Sequence, residues 1–222
     1  MSIKSKSAAS DFIAATFAAV DLRQLVEVAE LVELQQATVA RWHREPLDNR
    51  YGGFHGLVCQ QHQYNYALWH EEDMARSPEA GDMRIAAVKR AIDRYNQQRN
   101  DAIEKLDDFL VAAVATLGIV AQPEAKLNTE TPGSTIDRLS ILALRIYHMQ
   151  EQVERADATS EHVAKAEHRL AILREQHRDL SSALADLLAD IFAGRKRLKV
   201  YRQFKMYNDP SLNPYLYAKQ AA

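Results

Sequence analysis

The chain has 222 residues, of which 47% are hydrophobic and 26% charged, enough to enclose one substantial core. Its formal net charge of -2 at pH 7 excludes the broad positive field on which nucleic-acid binding depends. The single cysteine, Cys59, excludes an internal disulfide bond and a metal site made of several cysteines, and it favours a reducing, cytoplasmic location.

The composition is that of a helical protein. Seven glycines and six prolines are few for this length, and Ala, Leu, Glu, Gln, Lys and Arg occur in long uninterrupted stretches. We therefore predict an all-α fold, a single-domain helical bundle of about five long helices over residues 1–222. No stretch reaches the ~20 apolar residues that span a membrane, so membrane insertion is not expected.

The first helical region is predicted from about Ser10 to Arg44. Its beginning resembles a secretion signal, because two lysines precede a short apolar stretch. However, Asp11 stands at the start of that stretch, and Ser10 is a favourable helix cap. We therefore expect this segment to stay uncleaved and to continue into the helix, which ends in the proline- and glycine-containing segment "REPLDNRYGGFHG" (44–56).

The second helix, predicted from about Leu57 to Arg76, carries a stripe of varied polar groups beside its apolar stripe. At about 100° per residue, amide, imidazole, indole, carboxylate and guanidinium groups fall on this side. Its members are His62, Asn65, Tyr66, Trp69, Glu72, Asp73 and Arg76. Such groups make directional bonds, which suits either the lining of a cleft or a polar contact between buried helices.

The segment "WHEEDM" (69–74) does not complete a zinc-protease motif. That motif, H-E-x-x-H, needs a second histidine one turn after the first, and Met74 occupies the position. His70 and Glu72 project about 200° apart on a regular helix and cannot bind one ion. We therefore predict no metal site and no cofactor.

A short sequence pattern occurs in both of the first two predicted helices. The segments "ARWHRE" (40–45) and "ALWHEE" (67–72) share the pattern A-x-W-H-x-E. One pair does not establish a repeat, so both duplication and chance remain open.

The third helix is predicted over residues 82 to about 117 and contains one misplaced cation. Its polar stripe consists of Lys89, Asp93, Asn96, Asn100, Glu104 and Asp107. Arg99 instead falls within the apolar stripe, where an unpaired guanidinium would be very unfavourable. We expect it to meet a carboxylate, with Glu72, Asp73 and Asp137 as the candidates, in either a structural or a catalytic ion pair.

The fourth helix is predicted from Ser134 to about residue 155. Ser134 and Asp137 have the spacing of a capping box. The segment Pro132-Gly133-Ser134 also places backbone N–H groups at a helix start, which together with Arg138 could bind a phosphate or carboxylate. The signal is weak, because every helix has such a start and a cap satisfies it internally.

The fifth helix, about residues 160–193, has the most regular pattern. Residues with spacings of three and four form a seam over four heptads: Val163, Ala166, Leu170, Leu173, His177, Leu180, Leu184, Leu187 and Ile191. An antiparallel bundle or a dimer interface would use such a seam. We interpret His177 as a core residue rather than a ligand, and Gly194 as the end of the helix.

The C-terminal segment "KVYRQFKMYNDPSLNPYLY" (199–217) is aromatic and basic. Helical spacing would place its cations, Lys199, Arg202 and Lys205, on one face and Val200, Phe204 and Tyr207 on another. Aromatic rings beside cations can stack on sugars or bases. The more common role of such a tail is to pack across a bundle and cover its core.

Four segments resemble one protein family. They are "HQYNYALWHEEDMAR" (62–76), "KRAIDRYNQQRNDAIEKLD" (89–107), "ETPGSTIDRLSILALRIYHM" (130–149) and the C-terminal segment. In this order they resemble the bacterial domain-of-unknown-function family 4254, over about residues 40–217. The resemblance implies a setting among glycosyltransferase and surface-polysaccharide genes and supplies no reaction. Arg145 stands where members of that family often have lysine, which keeps the charge but changes the donor geometry.

The first functional hypothesis is a protein of surface-glycan assembly, of the lipopolysaccharide or O-antigen type, that binds an anionic phosphorylated sugar or nucleotide sugar. Glu72 or Asp73, with His62 as an alternative, would act as general acid or base in any reaction, and arginines would hold the anion. The predicted binding residues are Asn65, Trp69, Arg76, Asp93, Asn96, Arg99, Asn100, Ser134, Asp137, Arg138, Arg145, His148 and Arg202.

Two further hypotheses belong to other classes of protein. The chain could be a non-enzymatic adaptor that forms a homodimer or docks a glycosyltransferase through the heptad seam and the tail. It could instead be an all-α metal-dependent pyrophosphohydrolase that uses helical acids: Glu72, Asp73, Asp93 and Glu104. The paired E-x-x-E spacing usual for such enzymes is missing from the second helix.

Overall fold

The computed structural model describes residues 26–203, 206 and 209–217. Its helices are α1 Val28–Trp42, α2 Gly53–Ala75, α3 Asp82–Thr116, α4 Pro132–Val153, α5 Ser160–Phe192 and the short α6 Pro214–Tyr217. Two short segments, β1 Lys126–Leu127 and β2 Lys196–Arg197, pair in parallel. The predicted all-α fold with five long helices is confirmed. No described helix has an apolar stretch long enough to cross a bilayer.

Some predictions fall outside the described residues. The proposed start of the first helix at Ser10 and the secretion-like segment lie there, and so do Phe204, Lys205 and Tyr207 of the tail. The described part of α1 ends at Trp42, two residues before the predicted end.

The five long helices share one hydrophobic core. Helix α2 packs against α3, α4 packs against α5, and α1 lies across α2, α4 and α5. Each helix contributes a side chain with almost no solvent exposure: Leu31, Phe54, Leu106, Ile136 and Leu184. The fold is therefore two helical hairpins joined through a shared interior, with α1 completing it.

The heptad seam of α5 is used inside the chain. Helices α4 and α5 are joined by residues 154–159 and pack along their length. Ala166, Leu170 and Leu184 of the seam are buried there. Of the two uses predicted for the seam, the structure shows packing within an antiparallel bundle. The helix ends at Gly194 as predicted, with φ +71°, a conformation that favours glycine.

The start of α2 differs from the prediction. The helix begins at Gly53 rather than near Leu57. The pair of glycines reads as a turn in the sequence, but the Phe54 side chain is fully buried in the core. This tertiary contact extends the helix by four residues toward its beginning.

The predicted capping box at the start of α4 is wrong. The capping residue is Thr131, whose Oγ1 accepts a hydrogen bond from the Ser134 N–H at 3.2 Å. Proline is favoured at the first helical position. With Pro132 in that position, the capping residue is the one before it, Thr131. Asp137, released from capping, is buried between helices.

Candidate functional site

Helices α2, α3 and α4 line an open cleft with a volume of about 410 Å³. Its polar lining consists of Asn65, Trp69, Glu72, Asp73 and Arg76 from α2, Asn96 and Arg99 from α3, and Arg145 from α4. Leu68, Ile141 and Leu144 supply apolar surface. Most of the polar stripe predicted on α2 therefore faces a cleft.

The three arginines of the cleft are neutralised to different degrees. Arg76 Nη1 lies 2.6 Å from Glu72 Oε2, and Arg99 Nε lies 3.6 Å from Asp137 Oδ1. Arg145 is exposed and forms no ion pair with any residue that the structure describes. Arg145 is therefore the cation of this cleft that is ready to meet an external anion.

A buried carboxylate lies beneath the cleft. Asp137 Oδ1 accepts hydrogen bonds from Asn65 Nδ2 at 2.9 Å and from Gln61 Nε2 at 2.5 Å. Burial raises the pKa of Asp137, and this effect outweighs the opposing effects of Arg99 and Asn65. The ion pair expected for Arg99 is confirmed, and Asp137 is the partner. It anchors Arg99 at the floor of the cleft.

His62 does not line the cleft. It is fully buried, and both of its ring nitrogens are bonded. Nε2 lies 3.0 Å from the Gln35 carbonyl, so it must carry the proton, and Nδ1 accepts from the Ser140 hydroxyl at 2.6 Å. Burial lowers the pKa of His62 to about 3. The structure therefore does not support His62 as the acid or base of this site. His62 instead forms a polar contact between helices, the other role considered for the polar stripe of α2.

Several predicted binding residues lie away from the cleft. Asp93 pairs with Lys89 on the exposed side of α3, and Asn100 is not part of the cleft lining. Arg202 is bonded to Glu104 at 3.0 Å and to a neighbouring aspartate at 2.6 Å. Its charge is therefore already neutralised within the protein.

The predicted anion site at the start of α4 has none of its expected donors free. The Gly133 N–H donates to Asp107 Oδ1 at 2.7 Å, and the Ser134 N–H is occupied by the helix cap. Arg138 points to Glu130, with two contacts of 2.9 Å. The donors that this site needs are all used internally.

A cluster of three histidines lies beside the cleft. His43 follows the end of α1, His70 lies on α2 and His148 on α4. One nitrogen from each ring lies within 4.8 Å of those of the other two. In residues 26–203, 206 and 209–217, no other group of three His, Cys, Asp or Glu side chains has an arrangement that could hold a metal ion.

Aromatic rings hold the three imidazoles in place. Each histidine contacts a different ring: Tyr147 stacks on His43 at 4.2 Å, Tyr66 meets His70 edge-on at 4.4 Å, and Trp69 stacks on His148 at 4.6 Å, all between ring centroids. Trp69 therefore belongs to both places, as a wall of the cleft and as a support for the histidine cluster. His148, predicted as a ligand contact, lies in this cluster and not in the cleft.

The Nδ1 atoms of His43 and His148 are hydrogen-bonded, whereas the Nε2 atoms of all three rings are not. His43 Nδ1–H donates to the Val39 carbonyl and His148 Nδ1–H donates to Glu151, both at 2.8 Å. The Nε2 atoms of all three histidines are buried and have no hydrogen-bond partner among the described residues. Burial, followed by the two neighbouring histidines, lowers the pKa of His70.

The sequence contained one usable signal for this cluster. The two histidines of the A-x-W-H-x-E pattern are His43 and His70, and the structure brings them to 5.3 Å between ring centroids. No spacing rule could add His148, because it comes from a distant helix. The rule that excluded a metal site considered ligands on one helix only.

Comparison with curated proteins and with solved structures gives no match. A family described as "Protein of unknown function (DUF4254)" matches residues 55–200. The match spans more than half of the chain, including all but the first two residues of α2, the whole of α3 to α5 and the whole lining of the cleft. The chain therefore belongs to the DUF4254 family.

Proposed function

We propose that the cleft binds a phosphorylated sugar or a nucleotide sugar and that the protein serves surface-glycan assembly in the bacterial cytoplasm. The observation that carries the proposal is the exposed Arg145 guanidinium, which has no ion-pair partner within the described residues and shares the cleft with Arg76, Arg99 and Trp69. The glycan setting is the one that the family resemblance implies.

The lining has the chemistry that such a ligand needs. A guanidinium group binds phosphate oxygens through two parallel hydrogen bonds, which a lysine cannot do. An indole can cover the apolar face of a sugar or stack on a base, and the amides of Asn65 and Asn96 can bond to hydroxyl groups. A volume of about 410 Å³ falls in the range of small-molecule sites.

Asp73 is our choice for a general acid or base in any reaction at this site. The neighbouring carboxylate, Glu72, is held by Arg76 at 2.6 Å. Asp73 forms no ion pair within the described residues and lines the same cleft. A carboxylate without a fixed partner can reach a hydroxyl group of the ligand.

Isothermal titration calorimetry of the full chain with UDP-glucose, glucose 1-phosphate and inorganic phosphate tests the proposal. We expect saturable binding of a sugar probe, and about tenfold or more weaker binding by Arg145→Ala, because a hydrogen bond to a charged group contributes about 1.5–3 kcal/mol. Arg138→Ala is the matched control, since Arg138 lies on the same helix but pairs with Glu130 outside the cleft. No saturable binding of any probe, or equal losses in the two variants, would overturn the proposal.

The adaptor hypothesis loses one of the two surfaces on which it was based, the heptad seam of α5. The α5 seam is occupied by α4 within the chain, so a homodimer or a docked glycosyltransferase would have to use another surface. Light scattering combined with a pull-down tests this alternative directly.

The pyrophosphohydrolase hypothesis is weakened by the positions of its acids. Glu72 and Asp73 line the cleft, whereas Asp93 pairs with Lys89 and Glu104 pairs with Arg202. These four acids therefore do not converge on one metal ion.

A further inference from the structure

We propose that His43, His70 and His148 bind a divalent transition-metal ion of the zinc class. The proposal does not depend on the ligand of the neighbouring cleft. It assigns a metal site to three side chains that come together from the end of α1, from α2 and from α4.

The unpaired nitrogens are the first argument. Buried polar atoms in proteins are almost always hydrogen-bonded, and each exception needs an explanation. Here three Nε2 atoms in one cluster are shielded from solvent and have no partner in the described part of the chain. Three unmet atoms on three imidazole rings that come together indicate one shared partner, because three independent packing defects would not occur in one cluster.

The outer hydrogen bonds are the second argument. A histidine that ligates a metal almost always donates its other ring N–H to a carbonyl or a carboxylate, which fixes the ring and makes the ligating nitrogen more basic. His43 donates from Nδ1 to the Val39 carbonyl, and His148 donates from Nδ1 to Glu151, each at 2.8 Å. With the proton fixed at Nδ1, a neutral imidazole presents its lone pair at Nε2. Two rings of the cluster therefore already have the orientation that a metal requires.

The spacing needs only a small adjustment. The ligand nitrogens lie within 4.8 Å of one another, whereas a tetrahedral ion bonded at about 2.0–2.1 Å brings them to roughly 3.3 Å. Rotations of the imidazole rings that move each nitrogen by about 1 Å would close this gap. The backbone of the three helices can stay in place.

The donor set selects the class of ion. Imidazole nitrogens suit zinc, copper, nickel and iron, whereas magnesium and calcium take oxygen ligands. No carboxylate or thiol belongs to this group within the described residues, and the Cys59 thiol is buried in the hydrophobic core. Three histidines leave the fourth tetrahedral position to water, as in zinc sites that carry out chemistry.

Titration of the metal-free full chain with Zn²⁺ tests the inference, followed by the visible absorption of the Co²⁺ form, which reports tetrahedral coordination. We expect one equivalent of Zn²⁺ to bind. His70→Phe keeps a planar ring but removes the nitrogens, and it should weaken Zn²⁺ binding about 100-fold or more. His168→Phe, on the exposed surface of α5, is the matched control and should bind like the wild type.

A variant of the outer shell protects the test against a folding failure. Glu151→Gln leaves all three histidines in place but removes the carboxylate that holds His148. Loss of such a partner lowers metal affinity about 10–100-fold, while circular dichroism should show an unchanged helical content. The inference is overturned if the wild type binds no stoichiometric Zn²⁺, or if His70→Phe and Glu151→Gln both bind it as tightly as His168→Phe does.

Discussion

Two layers of polar side chains lie one above the other in the same three-helix contact. In the first, His62 of α2 bonds to the Ser140 hydroxyl of α4 and to the backbone carbonyl of Gln35 of α1. Eight residues further along each chain segment, His43 and its two partners form the histidine cluster. At 1.5 Å per residue, the layers are about 12 Å apart. The three helices must therefore run in the same direction.

The two layers differ in how far their histidine nitrogens are satisfied, although the Gln35 Oε1 atom of the first layer is also buried without a partner among the described residues. Both nitrogens of His62 have partners, and the Ser140 hydroxyl also accepts from Asn65 at 2.8 Å. In the histidine cluster, the Nε2 atom of each ring has none within the described residues. A buried histidine with both ring nitrogens bonded helps to fix the packing of the helices around it. An unsatisfied one in the same environment indicates a place for a ligand, so the first layer supports the fold and the second supports function.

The largest effect should come from breaking the network that extends from the first layer to Asp137. Asp137→Ala leaves the Arg99 guanidinium without its partner and the amides of Gln61 and Asn65 without their acceptor. We expect the free energy of unfolding to fall by about 3 kcal/mol, as when one member of a buried ion pair is lost. Urea denaturation measures it, with Asp93→Ala in the exposed pair as the control. Equal effects of the two substitutions would contradict the structural role of Asp137.

His62→Phe should have the next largest effect. The substitution keeps a flat ring next to Trp42, whose centroid lies 5.2 Å away. It removes the acceptor of the Ser140 O–H and one donor to the Gln35 carbonyl, which keeps the Thr38 hydroxyl at 3.1 Å. Since a buried donor left without an acceptor costs about 1–3 kcal/mol, we expect a loss of about 2 kcal/mol in urea denaturation at neutral pH. A change close to zero would show that the first layer does not stabilise the fold.

The stabilisation by His62 should depend on pH with a defined sign. Its pKa in the folded protein is about 3, below the ordinary value of 6.5, so the unfolded chain takes up the proton first as the pH falls. The contribution of His62 is complete above pH 6.5 and is lost between pH 6.5 and 3, by at most about 1.4 kcal/mol per pH unit.

The same denaturation experiment at several pH values checks this sign. The difference between wild type and His62→Phe should shrink as the pH falls below 6.5. Burial raises the pKa values of Asp107 and Asp137, which stabilises the folded protein at low pH, but both proteins carry these groups and the effect cancels. A difference that grows toward acid would contradict a buried neutral His62.

The sequence predicts the Arg99–Asp137 ion pair better than the histidine cluster because of where the information lies. Arg99 interrupts the apolar stripe of its own helix, so its need for a carboxylate can be read locally, and Asp137 was among the expected partners. The histidine cluster joins three segments that are far apart in the sequence, and no single helix contains two of its members. Only the relative positions of α1, α2 and α4 bring them together.

Helix starts show the same limit on a smaller scale. Ser134 and Thr131 both have side chains able to cap α4, and the spacing from Ser134 to Asp137 favours the wrong one. Pro132 favours Thr131 locally, and tertiary contacts reinforce this choice, because Asp137 pairs with Arg99 and the Gly133 N–H is taken by Asp107. Local rules give the approximate position of a helix, and packing helps to decide which residue begins it.

The smallest effect should come from the counterpart of His62 in the second layer. In metal-free protein, His70→Phe removes a buried nitrogen that has no partner in the described residues and keeps a ring against Tyr66. Because no bonded atom is left unsatisfied, we expect the free energy of unfolding to change by less than about 1 kcal/mol. With saturating Zn²⁺ the two proteins should separate, since a ligand that binds only the folded state stabilises the wild type alone. A large loss of stability without metal would place His70 in the same structural class as His62 and remove the contrast between the layers.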